Sequence, residues 1–235
     1  MTVEALKGAL KGVDWEVSID AFLGQADSIS ALDDACTRIA VWSGQFESAD
    51  KGNPALAYVR SIQASAHEVV AACALSLYGA AAASIRNVVE GGLYYTYFRH
   101  HLAELTTITR DASYFVSRAD VVSFHKVHTV NFKGLQELFG FLSKLEVWYG
   151  QISATVHGQL PGVWIAHSGL DEIKPSTKIL KLVVGEFCRG EELLHELFLL
   201  TAGRQMWDRF STPAKKALLK GLDGKIRTAL GLDKA

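Results

Sequence analysis

Two groups of polar side chains have the types and the spacing that proton transfer next to a bound anion requires. The first group is Arg86 and Glu90 in "SIRNVVEGG", four residues apart and therefore neighbours on one face of a helix. The second is "YGQISATVHG", in which Tyr149, Ser153 and His157 recur at the same interval before a glycine. An arginine can hold an anion, and an imidazole can move a proton near neutral pH.

Both groups lie in apolar helical sequence, so their polar atoms need partners. A buried donor or acceptor without a partner costs roughly 1–3 kcal/mol, and a buried arginine needs a carboxylate, which Glu90 supplies. We expect Tyr149 and His157 to donate to Glu90, with Ser153 as a bridge. Two interpretations stay open: a catalytic or binding site, or a polar lock that fixes the register of two core helices.

Arg118 and His125, in "RADVVSFH", form a second candidate pair with six residues between them. His128 follows His125 at a helical interval, but no carboxylate four residues further on completes a metal-ligand signature. The three cysteines are too far apart for a zinc site. We therefore expect neither a metal nor a cofactor. The chain also lacks the glycine-rich phosphate loops and the G-x-S-x-G turn, which disfavours nucleotide-driven motors, dinucleotide enzymes and ordinary serine hydrolases.

The elements that position these residues are predicted to be helices. The chain has 235 residues, of which 49% are hydrophobic and only four are proline, so long uninterrupted helices and a large core are expected. Apolar residues recur at intervals of three to four along almost the whole chain. We predict an all-α, single-domain bundle of about eight helices. One long irregular loop follows residue 157, and Trp164 is expected to attach that loop to the core.

Local signals divide this helical pattern into predicted elements. A helix begins near Pro54, and a break near Tyr78 separates it from a second helix that contains Gly91 and Gly92, where close packing or a kink is expected. Further helices are predicted over 102–116, from a capping box at 117–120 onward to about 156, and from 177 to about 210. A final helical pair begins at Ser211 or Thr212.

Charge and composition suggest three segments. We distinguish an N-terminal helical region (1–53), a core helical bundle (54–210) and a basic C-terminal helical pair (211–235). The net charge is −1, but the first 50 residues carry a charge of −6 and the chain from Arg209 onward carries +5. A basic terminus of this kind can contact phosphate, although it is also typical of a solvated helix face.

Nothing in the sequence predicts contact with a membrane. The most apolar stretch, 69–84, is 16 residues long and rich in alanine, so it is too short for a span of about 20 residues. No basic segment followed by an apolar run opens the chain, which argues against a secretory signal. The odd, widely spaced cysteines are typical of reduced thiols, and a cytoplasmic protein is therefore expected.

The combination of R-x-x-x-E on an alanine-rich helix with Y-x-x-x-S-x-x-x-H-G at a helix end resembles the HEPN-like helical domains of bacterial defence and toxin–antitoxin proteins. The matching residues lie within about 55–158 and are Arg86, Glu90, Tyr149, Ser153, His157 and Gly158. Active members of that superfamily resemble metal-independent ribonucleases, whose mark is an arginine and a histidine with four to six residues between them. Arg118 and His125 fit that spacing, but Ala119 stands where a polar residue is usual.

The resemblance implies a cytoplasmic homodimer that binds or cleaves RNA and pairs with a cognate antitoxin or another defence protein. An arginine would hold the phosphate, His157 or His125 would act as acid or base, and Glu90 would orient the arginine. The loop after Gly158 would cover the site, and the basic C-terminus would guide the RNA backbone. The alternative is a non-enzymatic helical module that binds a protein partner or a small ligand. Whether the chain is an enzyme stays open at this point.

Overall fold

The computed structural model describes residues 2–164 and 167–232, and within these ranges the chain folds into helices joined by turns, without a strand. The all-α prediction is confirmed, but the predicted count of about eight helices is too low. The described residues form thirteen α-helices: α1 (Val3–Gly12), α2 (Trp15–Leu23), α3 (Ala26–Ala49), α4 (Leu56–Ala74), α5 (Tyr78–Phe98), α6 (Leu102–Arg110), α7 (Arg118–His128), α8 (Phe132–Phe139), α9 (Phe141–Val156), α10 (Thr177–Leu200), α11 (Ala202–Gln205), α12 (Thr212–Leu218) and α13 (Gly224–Leu230).

The higher count arises where predicted helices end early or are divided. The helix expected over 102–116 ends at Arg110, because the Asp111 side chain accepts from the backbone N–H and the hydroxyl of Ser113 and so stabilises a turn. The run expected to reach residue 156 is divided twice, between His128 and Phe132, where Asn131 has a φ of +58°, and at Gly140, whose φ of +63° is also a left-handed conformation. The helix expected to reach residue 210 ends at Leu200.

Helix α5 occupies the centre of the fold and packs against α4, α10, α9 and α7. Its two consecutive glycines permit the closest of these approaches. A Cβ atom at Gly91 would lie 2.7 Å from Cγ1 of Ile62 on α4, and one at Gly92 would lie 2.2 Å from Cδ1 of Leu194 on α10. The expectation of close packing at these glycines is confirmed, and no proline or bulge interrupts the helix.

One continuous hydrophobic core includes buried residues from the N-terminal, central and C-terminal segments, from Phe22 to Leu232. Its aromatic centre is Trp42, which stacks on Phe46 with 5.3 Å between ring centroids and donates to Nδ1 of buried His195 at 3.0 Å. The three predicted segments therefore share a single core.

The end of α9 explains the glycine of the motif at 149–158. The backbone N–H of Gly158 donates to the Thr155 carbonyl and that of Gln159 to the Ala154 carbonyl, which is the Schellman arrangement. Gly158 has a φ of +66°, which suits glycine at this position. The helix therefore ends at Val156 with His157 as its C-cap residue, close to where the sequence predicts.

The predicted irregular loop between α9 and α10 is also confirmed for its described part, in which the sole regular element is a 3-10 turn at Leu170–Glu172. Trp164 lies within this loop and is buried in the core, as expected. Over the described ranges, no helix combines the length and the apolar character that a membrane crossing needs. Asp233 and Lys234, which belong to the predicted basic C-terminus, lie outside the described residues.

We predict that Gly92→Ala destabilises the fold. The added methyl group must displace Leu194 in a fully buried position, and overpacking of this kind costs typically about 1–3 kcal/mol, which exceeds the gain of roughly 1 kcal/mol in helix propensity. The matched control is Gly185→Ala in α10, where a Cβ atom would contact nothing within 4 Å. Urea unfolding should show a lower free energy for the first variant and an unchanged or higher one for the second.

Candidate functional site

Helix α5 packs against α9 and brings the two sequence motifs together. Nη1 of Arg86 lies 3.0 Å from Nε2 of His157, and Nη2 of Arg86 donates to the Tyr149 hydroxyl at 2.8 Å. On its own helix, Nε of Arg86 donates to Oε1 of Glu90 at 2.9 Å. The predicted meeting of these four side chains is confirmed, but His157 contacts Arg86, where a contact with Glu90 was expected.

Tyr149 joins the two helices through its hydroxyl, which donates to Oε1 of Glu90 at 2.5 Å. Burial, followed by the hydrogen bond to Glu90, raises the pKa of Tyr149, so the hydroxyl stays protonated and remains a donor. Burial alone would lower the pKa of Arg86, but the hydrogen bond and the charge of Glu90 outweigh it and leave that pKa raised. The network thus holds a permanent cation, a carboxylate and a neutral phenol.

His157 is exposed at the C-terminal end of α9. Arginine has no acceptor atom, so the Nε2 atom that faces Arg86 must be the unprotonated nitrogen, and this partner chemistry assigns the ring proton to Nδ1. The imidazole is therefore neutral in this arrangement. An unprotonated nitrogen at the solvent boundary can accept a proton from a bound molecule.

Ser153 does not act as the expected bridge. Its hydroxyl oxygen is buried and has no hydrogen-bond partner among the described residues. It lies on the same face of α9 as Tyr149 and His157, one turn from each, so spacing alone was a poor guide to whether it reaches a partner. A short serine side chain spans less distance than a tyrosine or a histidine, which explains why those two contact Arg86 and Ser153 does not.

The second candidate pair is divided by the structure, and Arg118 joins the first cluster. The Ser117 and Asp120 capping box begins α7 at Arg118, as predicted. The guanidinium carbon of Arg118 lies 4.2 Å from the centre of the Tyr149 ring, in cation–π contact. Its Nη2 pairs with Glu146 at 2.8 Å, while its Nη1 has no partner in the described part of the chain. Two arginines therefore contact one tyrosine.

His125 lies apart from this cluster, in the core against α5. Thr96 donates its hydroxyl proton to a backbone carbonyl, so it accepts from Nε2 of His125 at 3.0 Å, and Thr129 faces Nδ1 at 2.8 Å. Burial lowers the pKa of His125 to about 3, and the positive charges of neighbouring His100, His101 and Arg99 add to the effect. The ring is 2% exposed. His125 is therefore a buried core histidine whose two ring nitrogens both have partners within the chain, and it does not face the Arg86 cleft.

A cleft of about 250 Å³ opens beside the network. The residues that line it include Arg86, Glu90, Tyr149 and Arg118, together with Phe115, whose side chain is 75% exposed. Arg86 and Glu90 themselves retain about one-fifth of their side-chain exposure. The cluster is thus open to solvent on one side.

The walls of this cleft differ from those expected. Residues 115–117, between α6 and α7, and Arg118 at the start of α7 form one wall of the cleft, whereas the described part of the loop after Gly158 is not among its lining residues. The basic C-terminal helices pack elsewhere, α12 on α3 and α13 on α8. Among the described residues, neither the loop after Gly158 nor the basic C-terminal helices line this cleft, which differs from the expectation that they cover the site and guide RNA.

Sequence reasoning missed Phe115 and Glu146 as parts of this region. Phe115 was placed inside a predicted helix, and only the turn at Asp111 brings it to the surface near Arg118. Glu146 precedes Tyr149 by three residues, so the helical interval that identified the motif would also have marked Glu146 as its neighbour.

No group of three or more histidine, cysteine, aspartate or glutamate side chains that could hold a metal ion occurs in residues 2–164 and 167–232. Comparison of the chain with protein-family models, with curated proteins and with solved structures finds no match. The functional interpretation therefore rests on the geometry of the Arg86 network and its cleft.

We predict that Tyr149→Phe lowers the free energy of unfolding by about 1–2 kcal/mol, since it removes two hydrogen bonds to charged groups that are only partly exposed. Tyr114→Phe is the matched control, because it removes one hydrogen bond, to Glu104, near the surface. Equal losses for the two variants in urea unfolding would contradict the central position assigned to the Tyr149 hydroxyl.

Acid should destabilise the fold through His125. Its pKa lies near 3 in the folded chain and near 6.5 in the unfolded chain, so the unfolded chain binds more protons between these values. Stability is therefore lost as the pH falls below about 6.5, by up to roughly 1.4 kcal/mol per pH unit. Urea unfolding at about pH 7 and pH 5 should show a smaller difference for His125→Gln than for the parent chain. An unchanged difference would contradict this origin. Buried His195, whose pKa is also lowered to about 3, supplies remaining acid sensitivity.

Proposed function

We propose that this chain is a HEPN-like helical protein of a bacterial defence or toxin–antitoxin system that binds RNA at the Arg86 cleft and cleaves it without a metal. The observation that carries the proposal is a solvent-open cleft lined by two arginines and a tyrosine, together with an exposed histidine in contact with one of those arginines. A purely structural lock does not need an open side, whereas a substrate site does.

The two arginines suit a phosphodiester. Arg86 and Arg118 both lie close to the Tyr149 ring, with their guanidinium carbons 5.1 and 4.2 Å from its centre. A phosphate in the cleft would accept hydrogen bonds from both, and guanidinium groups are well matched to phosphate oxygens. Glu90 holds Arg86 through Nε and leaves the Nη1 edge directed toward His157 and solvent.

His157 would then serve as the base. When a phosphate takes the hydrogen bond from Nη1 of Arg86, the unprotonated Nε2 of His157 is released beside it. That nitrogen can accept the proton of the ribose 2′ hydroxyl, whose oxygen attacks the phosphorus atom. The 5′ oxygen leaves and takes a proton from water, so the products are a cyclic phosphate and a free 5′ hydroxyl.

Phe115 supports RNA as the polymer that the cleft receives. An exposed aromatic ring next to two arginines is the combination that binds single-stranded nucleic acid, with bases stacked on the ring and the backbone held by the cations. The proposal includes a cytoplasmic homodimer and a cognate antitoxin or defence partner, both implied by the sequence resemblance.

A second candidate function has one observation in its favour. Every side-chain nitrogen of Arg86 already has a partner within the chain, as expected of a lock that fixes the register of α5 and α9. In that case the chain is a non-enzymatic helical module that binds a protein partner or a small ligand.

The test is incubation of the purified chain with single-stranded RNA in the presence of a metal chelator. We predict cleavage that leaves cyclic phosphate ends, loss of at least about a hundredfold in rate for His157→Ala and Arg86→Ala, and weaker RNA binding for Arg118→Ala and Phe115→Ala. His67→Ala is the matched control, because His67 is also exposed on a helix but makes no hydrogen bond with Arg86.

Thermal unfolding of the same variants separates the two functions. His157 is exposed, so His157→Ala should keep its melting temperature while losing cleavage. Cleavage that persists in His125→Ala, once folding is verified, would exclude the second candidate pair. A parent chain that neither binds nor cleaves RNA, together with a melting temperature several degrees lower for Arg86→Ala, would overturn the RNA proposal in favour of the lock.

A further inference from the structure

A second cavity, of about 510 Å³, lies between α9 and α10 and opens to solvent. Its apolar wall consists of Val147 and Trp148 from α9 and Leu193 from α10. Trp148 is held firmly, because its ring lies against the backbone at Gly190, where a Cβ atom would be 2.7 Å from Cζ2, and its Nε1 donates to the Glu186 carbonyl. This volume is typical of cavities that bind small molecules.

The polar wall of the same cavity contains two glutamates one turn apart on α10. Glu192 is exposed, whereas the side chain of Glu196 is 7% exposed. Lys144 pairs with Oε1 of Glu196 at 2.6 Å, but Oε2 of Glu196 is buried and has no hydrogen-bond partner in the described ranges. A buried carboxylate oxygen without a donor is costly, and like charges four residues apart on a helix repel.

The charges around the cavity leave a negative excess. Arg189 also lines it, but its Nη1 pairs with Glu186 at 2.6 Å, so Lys144 is the other lining cation that can offset the charges of Glu192 and Glu196. Burial raises the pKa of Glu196 and Glu192 adds to the rise, against the lowering effect of Lys144. One further cation next to Glu196 would remove both the repulsion and the missing hydrogen bond.

We propose that this cavity binds a small organic amine, whose ammonium group lies between Glu192 and Glu196 and whose apolar body contacts Val147, Trp148 and Leu193. The ammonium donates to Oε2 of Glu196 and to the Glu192 carboxylate. The apolar wall distinguishes such a compound from a bare metal ion, which would gain nothing from a tryptophan and a leucine. This site is separate from the Arg86 cleft and does not depend on the RNA proposal.

The test is calorimetric titration of the full chain with phenethylamine and, in parallel, with phenethyl alcohol, which has the same apolar body without the charge. We predict that the amine binds at least about tenfold more tightly than the alcohol. Glu196→Gln should weaken amine binding by about tenfold or more and leave alcohol binding unchanged, because the shape of the cavity is kept. Glu137→Gln, an exposed glutamate on α8, is the matched control.

Glu192→Gln tests the proposal even if Glu196→Gln does not fold. Glu192 is exposed, so its substitution should leave the melting temperature unchanged. We predict severalfold weaker amine binding for this variant. Equal affinity of the parent chain for amine and alcohol, amine binding unchanged in both glutamine variants, or no amine binding at millimolar concentration would each overturn the proposal.

Discussion

A guanidinium at the boundary between a buried helix and solvent is the constraint around which α5, α7 and α9 are arranged. Arg86 projects from α5, whose other faces pack against α4 and α10, so its charge is partly desolvated and needs acceptors. Glu90 supplies one from the same helix, but Tyr149 and His157 come 63 and 71 residues later in the chain. The network is complete only when α9 is docked in one rotation, which in turn places the Tyr149 ring under Arg118.

The glycine pair of α5 makes this arrangement sterically accessible. With no Cβ at Gly91 or Gly92, α4 and α10 approach α5 closely enough to bury most of its surface. The bulk of the apolar stabilisation thus lies on these faces. The remaining edge, near α7 and α9, is free to carry polar groups and a cleft. Close packing on one side and a polar network beside a cleft on the other are therefore linked properties of the same helix.

Features that depend on residues close together in the sequence could be predicted, whereas features that depend on how separate helices dock could not. Three features could be predicted because they depend on spacing within one helix and on the need of buried polar groups for partners. They are the capping box of α7, the end of α9 before Gly158, and the cluster formed by Arg86, Glu90, Tyr149 and His157. The approach of Arg118 to Tyr149 and the exposure of Phe115 depend on how a turn redirects the chain and on how helices dock, which periodicity does not encode. The unpartnered hydroxyl of Ser153 could not be predicted either, because lying on the same helix face as Tyr149 and His157 does not guarantee a contact with their partners.

The adjacency of Trp148 and Tyr149 has a thermodynamic consequence. Consecutive residues project about 100° apart around a helix, so α9 presents the tryptophan to α10 and the tyrosine to α5. A ligand that shifts α9 on one side must change the geometry on the other. If both proposed sites bind their ligands, allosteric coupling between them is reciprocal: an amine that alters the affinity for RNA by some factor has its own affinity altered by RNA by that same factor. One helix would then connect two binding equilibria.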